Sequence, residues 1–128
     1  MIKTTSLELS RELVEAGVLI ETDKSFFFSN GDTMMLSEIE ADSIRNWSNL
    51  TDMKTSAPTA CELLEVMPDE LMIDDEIYFL LIRKDGEKFH VSYEDSDGTH
   101  LGEIPYKSSN LANELAKQAI WLKGQGLM

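Results

Sequence analysis

The chain switches repeatedly between two hydrophobic periods, and the switches mark its elements. Over residues 5–16 the apolar positions Leu9, Leu13, Val14 and Ala16 recur at helical spacing, with Glu8, Arg11, Glu12 and Glu15 on the other side. Thr5 followed by Glu8 predicts a capping box, with Ser6 and Leu9 as the alternative start, and Gly17 closes the helix with positive φ. Residues 18–22 are an apolar run containing β-branched residues and predict a strand, with a turn or bulge at Asp23-Lys24. Residues 25–29 continue extended. Asn30-Gly31 suits a type I′ hairpin turn, which would pair Phe28 with Thr33, Phe27 with Met34 and Phe26 with Met35. Successive strand side chains alternate between faces, so Phe26, Phe27 and Phe28 cannot all point one way.

Residues 37–56 show no sustained period. A helical turn or two through Ile44, Trp47 and Leu50, or a structured loop, would fit, and this stretch is read as a less regular, mobile connection. The sharpest local signal follows. Thr59 and Glu62 form a capping box after Pro58, and Ala60, Leu63, Leu64 and Met67 share one helical face. Pro68 disfavours helical dihedrals at Met67, so the helix should end near Val66. At about two turns it cannot be stable alone, and its apolar face must dock.

The strongest strand spans residues 76–84, after the break at Asp74-Asp75, and a two-residue turn at Asp85-Gly86 would return the chain over residues 87–94. On that register Ile82 faces Phe89, Leu80 faces Val91 and Tyr78 faces Tyr93. Tyr78, Leu80, Ile82, Phe89, Val91 and Tyr93 then form an apolar core face. The opposite face sets Ile77, Phe79, Leu81 and Arg83 against Lys88, His90, Ser92 and Glu94. Residues 101–106 read as a short edge strand limited by Pro105. The last helix should start near Ser108 or Ser109 and end near Lys123. Leu111, Leu115, Ala119 and Leu122 form one apolar row, with Ala112, Ala116 and Ile120 beside it.

The order is therefore α-β-β-α-β-β-α, an α+β fold with helices packed on one face of a mainly antiparallel sheet. The chain of 128 residues is read as one domain. A single cysteine, Cys61, excludes an intrachain disulfide and fits a reducing compartment. No apolar run reaches signal-peptide or membrane-spanning length, so the expected location is the cytoplasm, with no membrane partner.

Charge changes the picture more than hydrophobicity does. Against 24 acids there are 11 bases, a net charge of −13. Such a chain repels phosphate backbones, which argues against direct nucleic-acid binding, and complements a basic protein. Candidate chemistry is sparse. Glycines occur without the spacing of a phosphate loop. His90 and His100 lack companion cysteines at zinc spacing. Residues 94–98 resemble a calcium loop, but aligning Gly98 with the loop glycine places Tyr93 and Ile104 where acidic ligands are needed. Cys61 is flanked by Glu62, which opposes thiolate formation. No catalytic, cofactor-binding or metal-binding residue is assigned. The residues assigned to partner contact are Ile77, Phe79 and Leu81, with the acidic Asp69, Glu70, Asp74, Asp75 and Glu76 around them.

Ser6-Leu7-Glu8-Leu9-Ser10 with Leu13 and Gly17-Val18, then Ala57-Pro58-Thr59-Ala60 with Glu62-Leu63-Leu64-Glu65 and Pro68, then Ala119-Ile120-Trp121-Leu122, resemble a group of small uncharacterised proteins of bacteriophages, prophages and gut-type bacterial genomes. The matching positions are helix caps and core residues. The resemblance implies a phage-type accessory protein and no particular activity. The expected function is a non-enzymatic acidic interaction module binding another protein. The alternatives are a homo-oligomeric structural protein, or a small-ligand binder or enzyme with a pocket between sheet and helices.

Overall fold

Each helix whose cap is resolved begins on a side chain that can accept a backbone hydrogen bond, and those caps set the architecture. The computed structural model describes residues 3–18, 20–29, 32–48, 50–102 and 108–128, with the backbone alone at 29, 32, 44–48 and 50–54. The elements are α1 (Leu7–Glu15), β1 (Lys24–Ser29), β2 (Asp32–Ser37), α2 (Glu38–Ser48), β3 (Leu50–Ser56), α3 (Ala60–Val66), β4 (Glu70–Ile73), β5 (Glu76–Asp85), β6 (Lys88–Glu94) and α4 (Leu111–Gly124). The fold is α+β. Its strands form two antiparallel sheets, ordered β2-β1-β3 and β4-β5-β6, rather than the single sheet expected.

Ser6, not Thr5, caps α1: its hydroxyl accepts from the Leu9 N–H. Thr5 is buried, and its hydroxyl shares a hydrogen bond with that of Ser10. Gly17, at φ 84°, closes α1 with the Val18 N–H bonded to the Leu13 carbonyl and its own N–H to Val14, a Schellman motif. Val18 is buried, but no strand forms at 18 or over 20–22, and residue 19 lies outside the described set. Lys24, expected in the turn, opens β1.

The β1–β2 register is the one expected, with Phe27 opposite Met34 and Phe26 opposite Met35, while the Asn30-Gly31 turn lies outside the described residues. Phe27 is buried, Phe26 and Phe28 are half-buried on the other side, and the Arg11 guanidinium lies 5.5 Å from the Phe28 ring centroid. Residues 37–56 are more regular than expected. Ser37 and Glu40 form a capping box at the start of α2, through Ser37 N–H to Glu40 Oε1 (3.1 Å) and Glu40 N–H to Ser37 Oγ (3.2 Å). β3 then pairs with β1 through a bulge beside Phe27.

The main core lies between the β4-β5-β6 sheet and helices α1, α3 and α4. Leu13, Leu63, Met67, Leu71, Val91, Tyr93, Leu115, Ala116, Ala119 and Leu122 are buried together there. Val14, expected on the inner face of α1, is half exposed. The capping box of α3 is present: the Thr59 N–H reaches Glu62 Oε1 (2.8 Å) and the Glu62 N–H reaches Thr59 Oγ1 (3.3 Å). Met67, at ψ 139°, ends the helix before Pro68 as expected. α4 starts from Asn110, whose side chain accepts from the Asn113 N–H and donates to the Thr4 carbonyl. Asn113 Oδ1 in turn accepts from the Ser6 N–H, which ties the starts of α1 and α4 together.

Candidate interaction surface

Two hairpins build the face that carries the apolar residues singled out above. The first stands where the sequence pattern predicts only a break. Asp74 and Asp75 take φ 51° and 66°, and they turn β4 into β5 with Ile73 opposite Glu76. Two consecutive left-handed residues define a type I′ turn, and the short Asp side chain tolerates that region better than most. The second hairpin turns at Gly86-Glu87 rather than Asp85-Gly86, so Lys84 faces Phe89, Ile82 faces Val91 and Leu80 faces Tyr93. The shift moves each partner by two positions. Because the side-chain period is two, every residue keeps the face expected of it.

On the core side, Tyr93 Oη donates to the Pro68 carbonyl at 2.7 Å, fixing the link from α3 to β4. Burial, and the Asp69 carboxylate secondarily, hold that phenol well above its ordinary pKa. On the other side, β4 and β5 are uncovered. Met72 is 72% exposed, Ile77 40% and Phe79 45%, and Leu81 is half-buried. Met72 lies directly opposite Ile77, and Glu70 opposite Phe79, so these four share one face. Asp74 and Asp75 cap its end at the turn, both exposed. Glu76 and Asp69 are also exposed, but strand alternation places them on the other face: Glu76 pairs with Ile73, and the Asp69 carbonyl accepts from the Leu80 N–H at 2.9 Å. The structure thus brings Ile77, Phe79, Leu81 and Glu70 together with Asp74 and Asp75 at the turn, adds Met72, and sets the predicted Asp69 and Glu76 on the opposite face, because strand side chains alternate.

The β6 portion of the same side is buried and polar, which alternation alone does not reveal. Glu94 accepts from Ser92 Oγ (2.6 Å) and Arg83 Nη2 (2.9 Å), with His100 Nδ1 at 3.8 Å. The His90 and His100 rings meet at 5.8 Å, edge to face. The Ser92 hydroxyl bond above all, then Arg83 and His100, holds the Glu94 carboxyl below its ordinary pKa, against the opposing effect of burial. The Ser92 hydroxyl is committed to a carboxylate on its own strand and is almost fully buried, so it is poorly placed as a nucleophile. Isolated bridges from Glu94 to His100 and from Phe89 to Ser108 bring the following chain alongside β6, while residues 103–107 of the expected edge strand lie outside the described set. The buried Glu94 carboxylate thus meets His100 where the chain after β6 bridges back to it.

Other candidate chemistry resolves into local structure. Asp95 Oδ1 accepts from the N–H groups of Asp97 and Thr99, so the acidic loop is an Asx-type turn held by its own carboxylate. Cys61 is exposed at the start of α3, in a cleft of about 360 Å³ with Lys3, Thr59, Asn110 and Ala112. A second cleft of about 230 Å³ runs between α1 and Ser56 and Pro58, lined mainly by Leu13, Val14, Val18 and Ile20. Among the described residues no three of His, Cys, Asp and Glu are grouped to hold a metal ion, and no helix is long and apolar enough to cross a membrane. No known protein family, curated protein or solved structure matches the chain.

Proposed function

We propose that this chain is a non-enzymatic interaction module, of phage or prophage accessory type, that binds a basic protein in the cytoplasm through the Met72, Ile77, Phe79 and Leu81 face of β4 and β5. The observation that carries the reading is the contiguity of these side chains. Among the described residues Val14, Ile39, Val66 and Ile82 are also exposed, whereas on the β4–β5 face Met72 and Ile77 sit directly opposite one another with Phe79 two residues further along β5. Adjacent exposed apolar groups are what a partner would desolvate, whereas scattered ones are ordinary surface. The acids Glu70, Asp74 and Asp75 border this face, and a net charge of −13 extends their field. Charge of this kind steers a basic partner and sets salt dependence, while the apolar centre supplies contact energy.

The test is affinity capture with the immobilised protein beside an Ile77→Asp/Phe79→Asp variant at low and high salt. The expected outcome is a defined set of basic proteins held by the wild type, eluted by salt and lost from the variant, with circular dichroism unchanged. Retention of the same proteins by both forms would sink the reading.

A further inference from the structure

We infer that the partner is received as an extended segment that adds an antiparallel strand to the outer edge of β4, carrying an apolar residue opposite Met72 and Lys or Arg two positions to either side. This rests on the reading of the β4–β5 face as an interaction surface and specifies how that surface is used.

The edge is open in a particular way. β4 is terminal in its sheet, and among the described residues no strand pairs along its other side. The tight turn makes Ile73 and Glu76 a hydrogen-bonded pair, and pairs of that kind alternate along an antiparallel ladder. Leu71 with Tyr78 is the next such pair, and the Asp69 carbonyl accepting from Leu80 continues the alternation. Glu70 and Met72 fall between them, so their N–H and C=O groups point away from β5. Those groups are the docking points a strand edge offers an incoming segment. Of the usual guards, Glu70-Leu71-Met72-Ile73 has only its shortness and the charge of Glu70; it contains no Pro, Lys or bulge.

The side chains then select the occupant. Met72 and Glu70 lie two apart on the exposed face, so a paired segment sets an apolar residue against Met72 and a cation against Glu70. In the other direction the next same-face position meets Asp74 at the turn, which calls for a second cation. The bases of this sheet, Arg83, Lys84 and Lys88, lie toward the opposite turn, and Arg83 is engaged by Glu94. A second copy of the chain is disfavoured as occupant. Antiparallel pairing of β4 with itself would bring the Asp69, Glu70, Asp74 and Asp75 of two strongly acidic chains together.

The probe is the heptapeptide acetyl-Lys-Lys-Thr-Ile-Thr-Lys-Lys-amide, which reads the same in both strand directions. Its control carries an N-methyl group on the isoleucine, which removes the ladder donor aimed at Met72 and leaves the charges in place. Titration into the full chain, followed by calorimetry and amide hydrogen exchange, should slow exchange at Glu70 and Met72 at least tenfold. Methylation should weaken binding at least tenfold. Equal binding of both peptides overturns strand addition but leaves the interaction face standing, because the capture experiment with Ile77→Asp/Phe79→Asp reports on that face independently. No binding by either peptide also overturns it. A dimer without peptide, with those two amides already protected, overturns it in favour of self-pairing.

Discussion

Glu62 illustrates how much one side chain can settle here. Its carboxylate completes the Thr59 cap, accepts from Thr22 Oγ1 at 3.0 Å and accepts from the Asp23 N–H at 3.3 Å, so it anchors the segment entering β1 as well as α3. The capping box was legible from spacing; the long-range partners were not, since nothing local brings Thr22 to residue 62. Gly102 is a similar case. At φ +75° an added Cβ would stand 2.6 Å from Trp121 Cζ2, so Gly102→Ala should destabilise by about 1–3 kcal/mol. Differential scanning calorimetry should read this as a drop of roughly 3–5 °C per kcal/mol. Glu94 is the residue whose titration matters. Its folded carboxyl lies below the ordinary 4.5, so its contribution is complete above that pH and is lost as pH falls through the lower, folded value. Acid unfolding of Glu94→Gln should therefore show a flatter acid limb than wild type as pH falls below the ordinary 4.5, where the native carboxylate takes up its proton. An unchanged limb would show that the Ser92 and Arg83 contacts do not favour the ionised form.

At the scale of elements, local chemistry and tertiary context divide cleanly. α3 was readable from end to end because cap, inner face and Pro68 stop all lie within ten residues. Thr59→Ala should cost about 1 kcal/mol, read from denaturant midpoints at constant m-value. The Ser37–Glu40 box was equally available as a signal, and it starts α2 where an irregular connection was expected. The Asp74-Asp75 turn looks like a strand break in the sequence because two acids end the apolar run, while a hairpin needs only that both residues accept positive φ. Asp75→Gly should stabilise by about 0.5–1 kcal/mol, relieving the left-handed strain in the type I′ pattern Asp-Gly. Unchanged or lower stability would show that the Asp75 carboxylate contributes more than its backbone costs. Residues 18 and 20–22 show the reverse error: their composition favours a strand, but after the Schellman turn no neighbouring strand pairs with them, and Val18 is used as a core residue.

For the whole molecule the governing quantities are charge and the division into two sheets. A net charge of −13 imposes self-repulsion that salt screens. Raising salt from about 0.01 to 0.3 M, which shortens the screening length several-fold, should raise the melting temperature while weakening partner binding. A melting temperature that falls over that range would mean that attractive ion pairs such as Arg83–Glu94 outweigh the repulsion. The two sheets explain why one chain carries a packed apolar core and an exposed apolar face. α4 packs on β6, α1 and α3 pack against α4 and share its core with the inner side of β4-β5-β6, α1 also touches β3, α2 packs on the other sheet, and Met72, Ile77 and Phe79 stay exposed outside.

By itself the sequence determined what depends on neighbours along the chain: the α+β class, the cap and stop of α3, the β1–β2 register and the face of each β5 and β6 residue. A cap or a period-two face is decided within a few residues, and a register error of two positions leaves the faces intact. Tertiary structure alone decided the split into two sheets, the burial of Ser92 and Glu94 on a face that pattern would leave wet, and the openness of the Met72, Ile77 and Phe79 face. Each of these depends on what packs against an element from far along the chain, and an apolar side chain carries the same local signature whether a helix covers it or a partner is meant to.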